Sequence, residues 1–208
     1  MITISSLLFF IGAAVLLILV PGPDLIFAVT QGLTSGKKAG VMTAIGLSLG
    51  NVIHTLAAAL GLSLILKTSA FAFTLFKILA AGYLLYLAYM SFKHRKDPIE
   101  WKQGKNQSGF QLLLKGFMMN VLNPKVALFF LTFLPQFVNY SYGSEALQLI
   151  LLGVIFLVLS GLIFGLLAYF AGAFSEQLLS KPSFGIWSQT AGSAIFAALG
   201  IKLLFTKM

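Results

Sequence analysis

Few side chains in this sequence carry chemistry out of step with their surroundings. Asp24 follows Val20-Pro21-Gly22-Pro23, and Lys125 closes Asn120-Val121-Leu122-Asn123-Pro124, each inside a long apolar run. The triplets Gly22-Pro23-Asp24 and Asn123-Pro124-Lys125 both read as a cap, a proline at the first helical position and a charge at the second. Each should start a new half-helix part way along its run. In a bilayer an Asp or Lys deep in a spanning helix costs about 2.5–3.5 kcal/mol on insertion scales. Two such charges of opposite sign at matching places point to a substrate or ion site, and a zwitterion suits them. Asp24 would face an ammonium or carry a proton; Lys125 and the half-helix amides would face a carboxylate. The structural alternative is an ion pair locking two parts together, or Lys125 snorkelling to an interface.

Positioning these residues falls to six apolar runs: Ser5 to Val29, Ala39 to Leu62, Ala70 to Phe92, Leu112 to Gln136, Ala146 to Ala173 and Phe184 to Phe205. Each is near the 20 or so residues that a helix needs to cross a membrane. None alternates with period two, as barrel strands would. Of 208 residues, 59% are hydrophobic and 9% charged, and the mean hydropathy is +0.97. A soluble domain carries about a quarter charged residues, so a soluble enzyme, a nucleic-acid binder and a disordered linker are all excluded. The absence of cysteine removes disulfide scaffolds and thiol–disulfide carriers. The first run lacks a basic leader and a small-residue cleavage site, so it reads as span one.

The basic residues read as topology signals. Lys37 and Lys38 follow span one, and Lys93, Arg95, Lys96, Lys102 and Lys105 follow span three, with Lys115 just beyond. Lys181 follows span five, whereas the other face has Lys67 and, near the C-terminus, Lys202 and Lys207. Lys77 in span three is near enough to the outer interface to snorkel. The bias predicts odd-numbered loops in the cytoplasm and both termini outside. The predicted fold class is an all-α integral membrane protein, a single transmembrane domain over residues 1–208. The charged loop 93–111 divides it into repeats 1–92 and 112–208, three helices each. An odd number per half inverts the second repeat, a layout many secondary transporters use.

Within that layout, Pro21, Pro23 and Pro124 break spans one and four, threatening the carbonyls of Leu17, Leu19 and Asn120. The positive end of a half-helix disfavours Lys125, which therefore needs an anion, either Asp24 or a bound carboxylate. Gly22, Asn120 and Asn123 join Asp24 and Lys125 as candidate substrate- or ion-binding residues, the two asparagines as partners for freed carbonyls. Gly46 and Gly50 in span two, Gly161 and Gly165 in span five, and the Ala168 to Gly172 stretch form small-residue patterns suited to close helix packing. Asn51 could present an amide to a ligand. His54, three residues on, could relay protons or cap a packing contact. The phenylalanines, including Phe129, Phe130 and Phe133, read as lipid-facing or interhelical filler. Gly32 to Lys38 has the wrong spacing for a phosphate loop. No cluster has metal-ligand spacing, no nucleophile–base set marks an enzyme, and no cofactor is implied.

At these residues the chain resembles the LysE/RhtB family of bacterial amino-acid exporters. Pro21-Gly22-Pro23, the Gly46/Gly50 stretch, and Asn120-Val121-Leu122-Asn123-Pro124-Lys125 followed by Leu134-Pro135-Gln136-Phe137 carry the resemblance across essentially the whole sequence. It implies export of amino acids or close derivatives from the cytoplasm by proton antiport. The implied partners are a small amino-acid-like substrate, a coupling proton and membrane lipid, with no nucleic acid; a homo-oligomer stays open. The competing reading is a channel or metal-ion exporter on the same scaffold, which one intramembrane carboxylate and no thiol provide with few ligands.

Overall fold

The computed structural model describes residues 2–62, 70–97, 107–139, 141–174 and 182–205. Lys67, Lys102, Lys105, Lys181 and Lys207 lie outside them, as does the side chain of Lys202. Every regular element among the described residues is helical.

Helix α1 (Ile4–Leu19) starts at Thr3, whose hydroxyl accepts from the Ser6 amide, and stops where Val20 turns extended (φ −61°, ψ 123°). Val20 precedes Pro21, whose ring forbids helical geometry there. Gly22, also extended, caps α2 (Pro23–Thr34), with Pro23 at its first position. The two helices meet at 60°. A turn at Gly36 (φ +89°), a conformation that glycine adopts without strain, leads to α3 (Lys37–Leu56). It continues as a π-helical turn, Ala57–Leu62. Helix α4 is Ala70–Lys93.

Helix α5 (Gly109–Val121) opens on a reciprocal capping box between Ser108 and Gln111. After Leu122 and Asn123 the chain restarts as α6 (Pro124–Leu128), then a π turn (Phe129–Phe133) and a 3₁₀ turn (Leu134–Phe137). This second bend is 50°. Helices α7 (Glu145–Phe174) and α8 (Pro182–Phe205) complete the chain. Lys37–Gly61 and Glu145–Ala171 are each long and apolar enough to cross a membrane, and the two bent pairs qualify if each is one span. Leu8, Leu60, Leu147 and Leu162 stand exposed on the outside, a surface that lipid solvates and water does not. The molecule is built as an integral membrane protein.

Helix α3 packs between α5 and α7, while α4 pairs with α8. Bare glycines set the closest approaches. A methyl group on Gly46 would overlap the Leu113 carbonyl, one on Gly50 would strike the Asn120 side chain, and one on Gly161 would press Ser48. Gly32 lies as tightly on the backbone of Ala168, joining α2 to α7. Gly165 departs from expectation: a side chain there would meet nothing within 4 Å, because its face of α7 turns away from these contacts. The phenylalanines after the second bend are not lipid-facing. Phe129, Phe130 and Phe133 are fully buried, stacked with Phe156 at centroid distances of 5.1 Å from both Phe129 and Phe130.

Candidate functional site

Both bends leave backbone groups without helical partners, and the site is assembled around them. The donor that would serve the Val20 carbonyl in a continuous helix is the Asp24 amide, which now starts a helix aimed elsewhere. Lys125 supplies the substitute: its Nζ donates to Val20 O at 2.9 Å. The ammonium lies over bare Gly22, 3.4 Å from where a Cβ would stand, and 5.8 Å from the Phe196 ring centre. The carbonyl that Lys125 serves is thus Val20's, while those of Leu17 and Leu19, whose helical donors would be Pro21 and Pro23, belong to the last turn of α1.

At the second bend the Asn120 carbonyl is taken twice, by the Asn123 amide at 2.9 Å and by His54 Nε2 at 3.0 Å. A carbonyl only accepts, so this bond places the imidazole proton on Nε2. His54 therefore secures the bend, with its ring against Phe130. The asparagine side chains do not serve freed carbonyls as expected. Asn123 Oδ1 caps α6 by accepting from the Lys125 amide at 3.0 Å, and Asn120 Nδ2 donates to Asp24 Oδ2 at 2.7 Å.

Asp24 and Lys125 are not an ion pair. Among the described residues the single pair within 4 Å is His94 with Asp97, in the exposed turn after α4. Each charge rests instead on a neutral dipole, and of the two anions expected beside Lys125 it is Asp24 that is not paired with it. Both still line one pocket, together with Gly22, Asn51, Asn120 and Asn123. The cavity among the lining atoms is about 20 Å³, room for a water molecule, so an amino acid would enter only a wider form of it. Pro21, Pro23 and Pro124 shape its rim by fixing where the half-helices begin.

Asn51 is completely buried, and its Nδ2 donates to Ser48 O and Ser160 Oγ, both at 3.0 Å. Ser160 spends its own proton on Leu157 O at 3.0 Å. Ser160, with Phe156 and Phe164 one turn to either side on α7, also lines the pocket, and sequence reasoning passed over all three. The i, i+4, i+8 spacing of an aromatic, a hydroxyl and an aromatic was the available signal. The Val20 carbonyl had none, since a backbone group leaves no trace in residue type.

The Asn123 cap gives a direct test. Asn123→Ala should cost about 0.5–2 kcal/mol, or roughly 2–4 °C of melting temperature per kcal/mol. Asn123→Ser, which can still cap, should recover most of that loss in thermal unfolding of the detergent-solubilised protein.

Comparison with known proteins agrees with this architecture. The chain is 32% identical over 207 residues to the uncharacterized membrane protein YrhP of Bacillus subtilis, covering 95% of this chain and 97% of that one. An uncharacterized membrane protein of Pseudomonas aeruginosa is 28% identical, with 93% and 92% covered. A protein named leucine efflux protein from Enterobacter sp. (strain 638) is 27% identical over 173 residues, 82% of this chain and 81% of that one. No solved structure matches. The family model described as LysE type translocator matches residues 6–207. With both bends and the pocket between them inside that match, the chain belongs to the LysE type translocator family.

Proposed function

We propose that the protein exports amino acids or close derivatives across the bacterial cytoplasmic membrane, as a secondary transporter driven by the proton gradient. The observation that carries this reading is the pocket in which two broken helices bring together Asp24, Lys125 and an uncapped helix start. The first amides of α2 have no side-chain cap, because Gly22 has none to offer. With Lys125 above Gly22 they make a seat for a carboxylate, while Asp24 faces the ammonium. Family membership and a relative named for leucine efflux support an amino acid as the cargo.

In this reading the chain crosses the membrane six times as two inverted three-helix repeats. The matching bends at Gly22-Pro23-Asp24 and Asn123-Pro124-Lys125 are the repeated feature. The lysines and arginine of the odd-numbered loops hold those loops in the cytoplasm and the termini outside. Asp24 is the intramembrane carboxylate available to carry the antiported proton.

Proteoliposomes loaded with a mixture of labelled amino acids test both parts. Efflux that saturates, runs against a gradient when a pH difference is imposed and stops with a protonophore is the expected result. Efflux indifferent to the pH difference would remove the coupling; no efflux of any amino acid would remove the function.

A further inference from the structure

The hydrogen-bond network around Asn51 says which part of a substrate the pocket reads. Ser48 O can only accept, and Ser160 Oγ has already given its proton to Leu157 O. Both hydrogens of the Asn51 amide are therefore committed, and its orientation is fixed by its neighbours. Its Oδ1 is buried and accepts nothing, and Asp24 Oδ1 likewise has no hydrogen-bond partner, although the Asn123 side chain lies close to the carboxylate. Asn120 Oδ1 is also without a partner but is lodged against Gly50, inside the α3–α5 contact. The two acceptors left for the pocket are thus Asp24 Oδ1 and Asn51 Oδ1. Buried unpaired acceptors are costly and uncommon, and an ammonium, which has three donors and no acceptor, is the substrate group suited to them.

The remaining wall has the opposite character. Leu17 and Leu25 from the first bend, Val126 from the second, and Phe156 and Phe164 from α7 line it. The charges lining the pocket among the described residues are Asp24 and Lys125, both claimed by the backbone portion of an amino acid. A second ammonium or carboxylate on the substrate would be buried against hydrocarbon without a partner.

We propose that the pocket, once widened from the water-sized cavity of this structure, takes α-amino acids with an uncharged, apolar side chain, holding the ammonium between Asp24 Oδ1 and Asn51 Oδ1 and the side chain along Leu17, Leu25, Phe156 and Phe164. Asn51 is then a substrate-binding residue and the two phenylalanines set side-chain size. This assignment rests on the export reading and narrows it to one chemical class.

Counterflow in proteoliposomes of the full-length protein tests it, with labelled leucine, lysine and glutamate as probes and 4-methylpentanoate as a competitor lacking the amine. Leucine should exchange at least about tenfold faster than lysine or glutamate, a margin that a mismatched pocket readily gives. The deaminated acid should compete at least about a hundredfold more weakly than leucine, because a site built to bond a donor rejects an analogue without it. Phe164→Ala should shift preference from leucine toward tryptophan, and Phe164→Leu, a milder change, should shift it less in the same direction.

Lysine or glutamate exchanging as well as leucine would overturn the apolar class while leaving amino-acid export standing. Equal competition by 4-methylpentanoate would overturn the ammonium seat. Both phenylalanine variants changing every substrate by one factor would overturn the role of Phe164. Exchange of no amino acid at all would remove the export reading and this one with it.

Discussion

Asp24→Asn should abolish efflux while leaving the protein inserted and folded, and Lys125→Met should abolish efflux at a measurable cost in stability. The two outcomes differ because the two charges are held differently. Asparagine at position 24 can still accept from Asn120 Nδ2, so the link to α5 survives. What is lost is the negative charge, and an amide NH₂ is free to replace Oδ1 toward the pocket. Removing one partner of a desolvated, hydrogen-bonded charge pair costs about 2–5 kcal/mol. That corresponds to roughly thirtyfold or more in affinity, enough to take efflux below detection. Melting should not fall, since a buried charge has been removed.

Methionine at 125 is unbranched and one atom shorter than lysine, and it abandons the Val20 carbonyl, to which Nζ now donates at 2.9 Å. An orphaned buried carbonyl costs about 1–3 kcal/mol, so this variant should melt several degrees lower. Initial efflux rates normalised to membrane-inserted protein, read beside thermal unfolding, check both statements. Retention of more than half the wild-type rate by both variants would leave the pocket without a role.

Gly32→Ala and Gly46→Ala should fail to give a stable protein, although each adds a single methyl group. That methyl would stand inside the carbonyl group of Ala168 in the first case and of Leu113 in the second. The obstacle is the backbone of a neighbouring helix, which cannot rotate aside, so α2 must leave α7, or α3 must leave α5. Overpacking of a side chain already costs about 1–3 kcal/mol, and separating helices forfeits further contacts along their length. The expected readout is loss of monodisperse protein after detergent extraction. Gly12→Ala and Gly165→Ala serve as controls, because a side chain at either meets nothing within 4 Å. Alanine there should be neutral or favour the helix by about 0.5–1 kcal/mol. If all four variants behaved alike, the close approaches of α2 and α3 would be disproved.

These contrasts also mark how far the sequence could be read. Both helix starts were legible at Gly22-Pro23-Asp24 and Asn123-Pro124-Lys125, because proline and a cap act within one turn and need no tertiary context. The stretches around Gly46 and Gly50 and around Gly161 and Gly165 look alike on the page, yet three of these glycines touch a neighbour and Gly165 does not. The pattern states which residues share a face but not which face meets a partner. The partners of Asp24 and Lys125 were out of reach for a stronger reason. Asp24 takes an amide and Lys125 a backbone oxygen, where charge alone offered a bound substrate or each other as partners. Choosing between those outcomes requires the path of α1 after its last turn. The burial of Phe129, Phe130 and Phe133 follows the same logic, since an apolar ring is equally at home in lipid and between helices.

One consequence lies in how the two elbows are fastened. Asp24 of the first elbow is tied to Asn120 on the approach to the second, and Lys125 of the second is tied to Val20 at the end of the approach to the first. The ties therefore run crosswise, and each is strengthened by one full charge. Neither elbow can straighten or swing by itself without tearing a strap anchored in the other. Any change of shape at the bends is bound to be a joint movement of both.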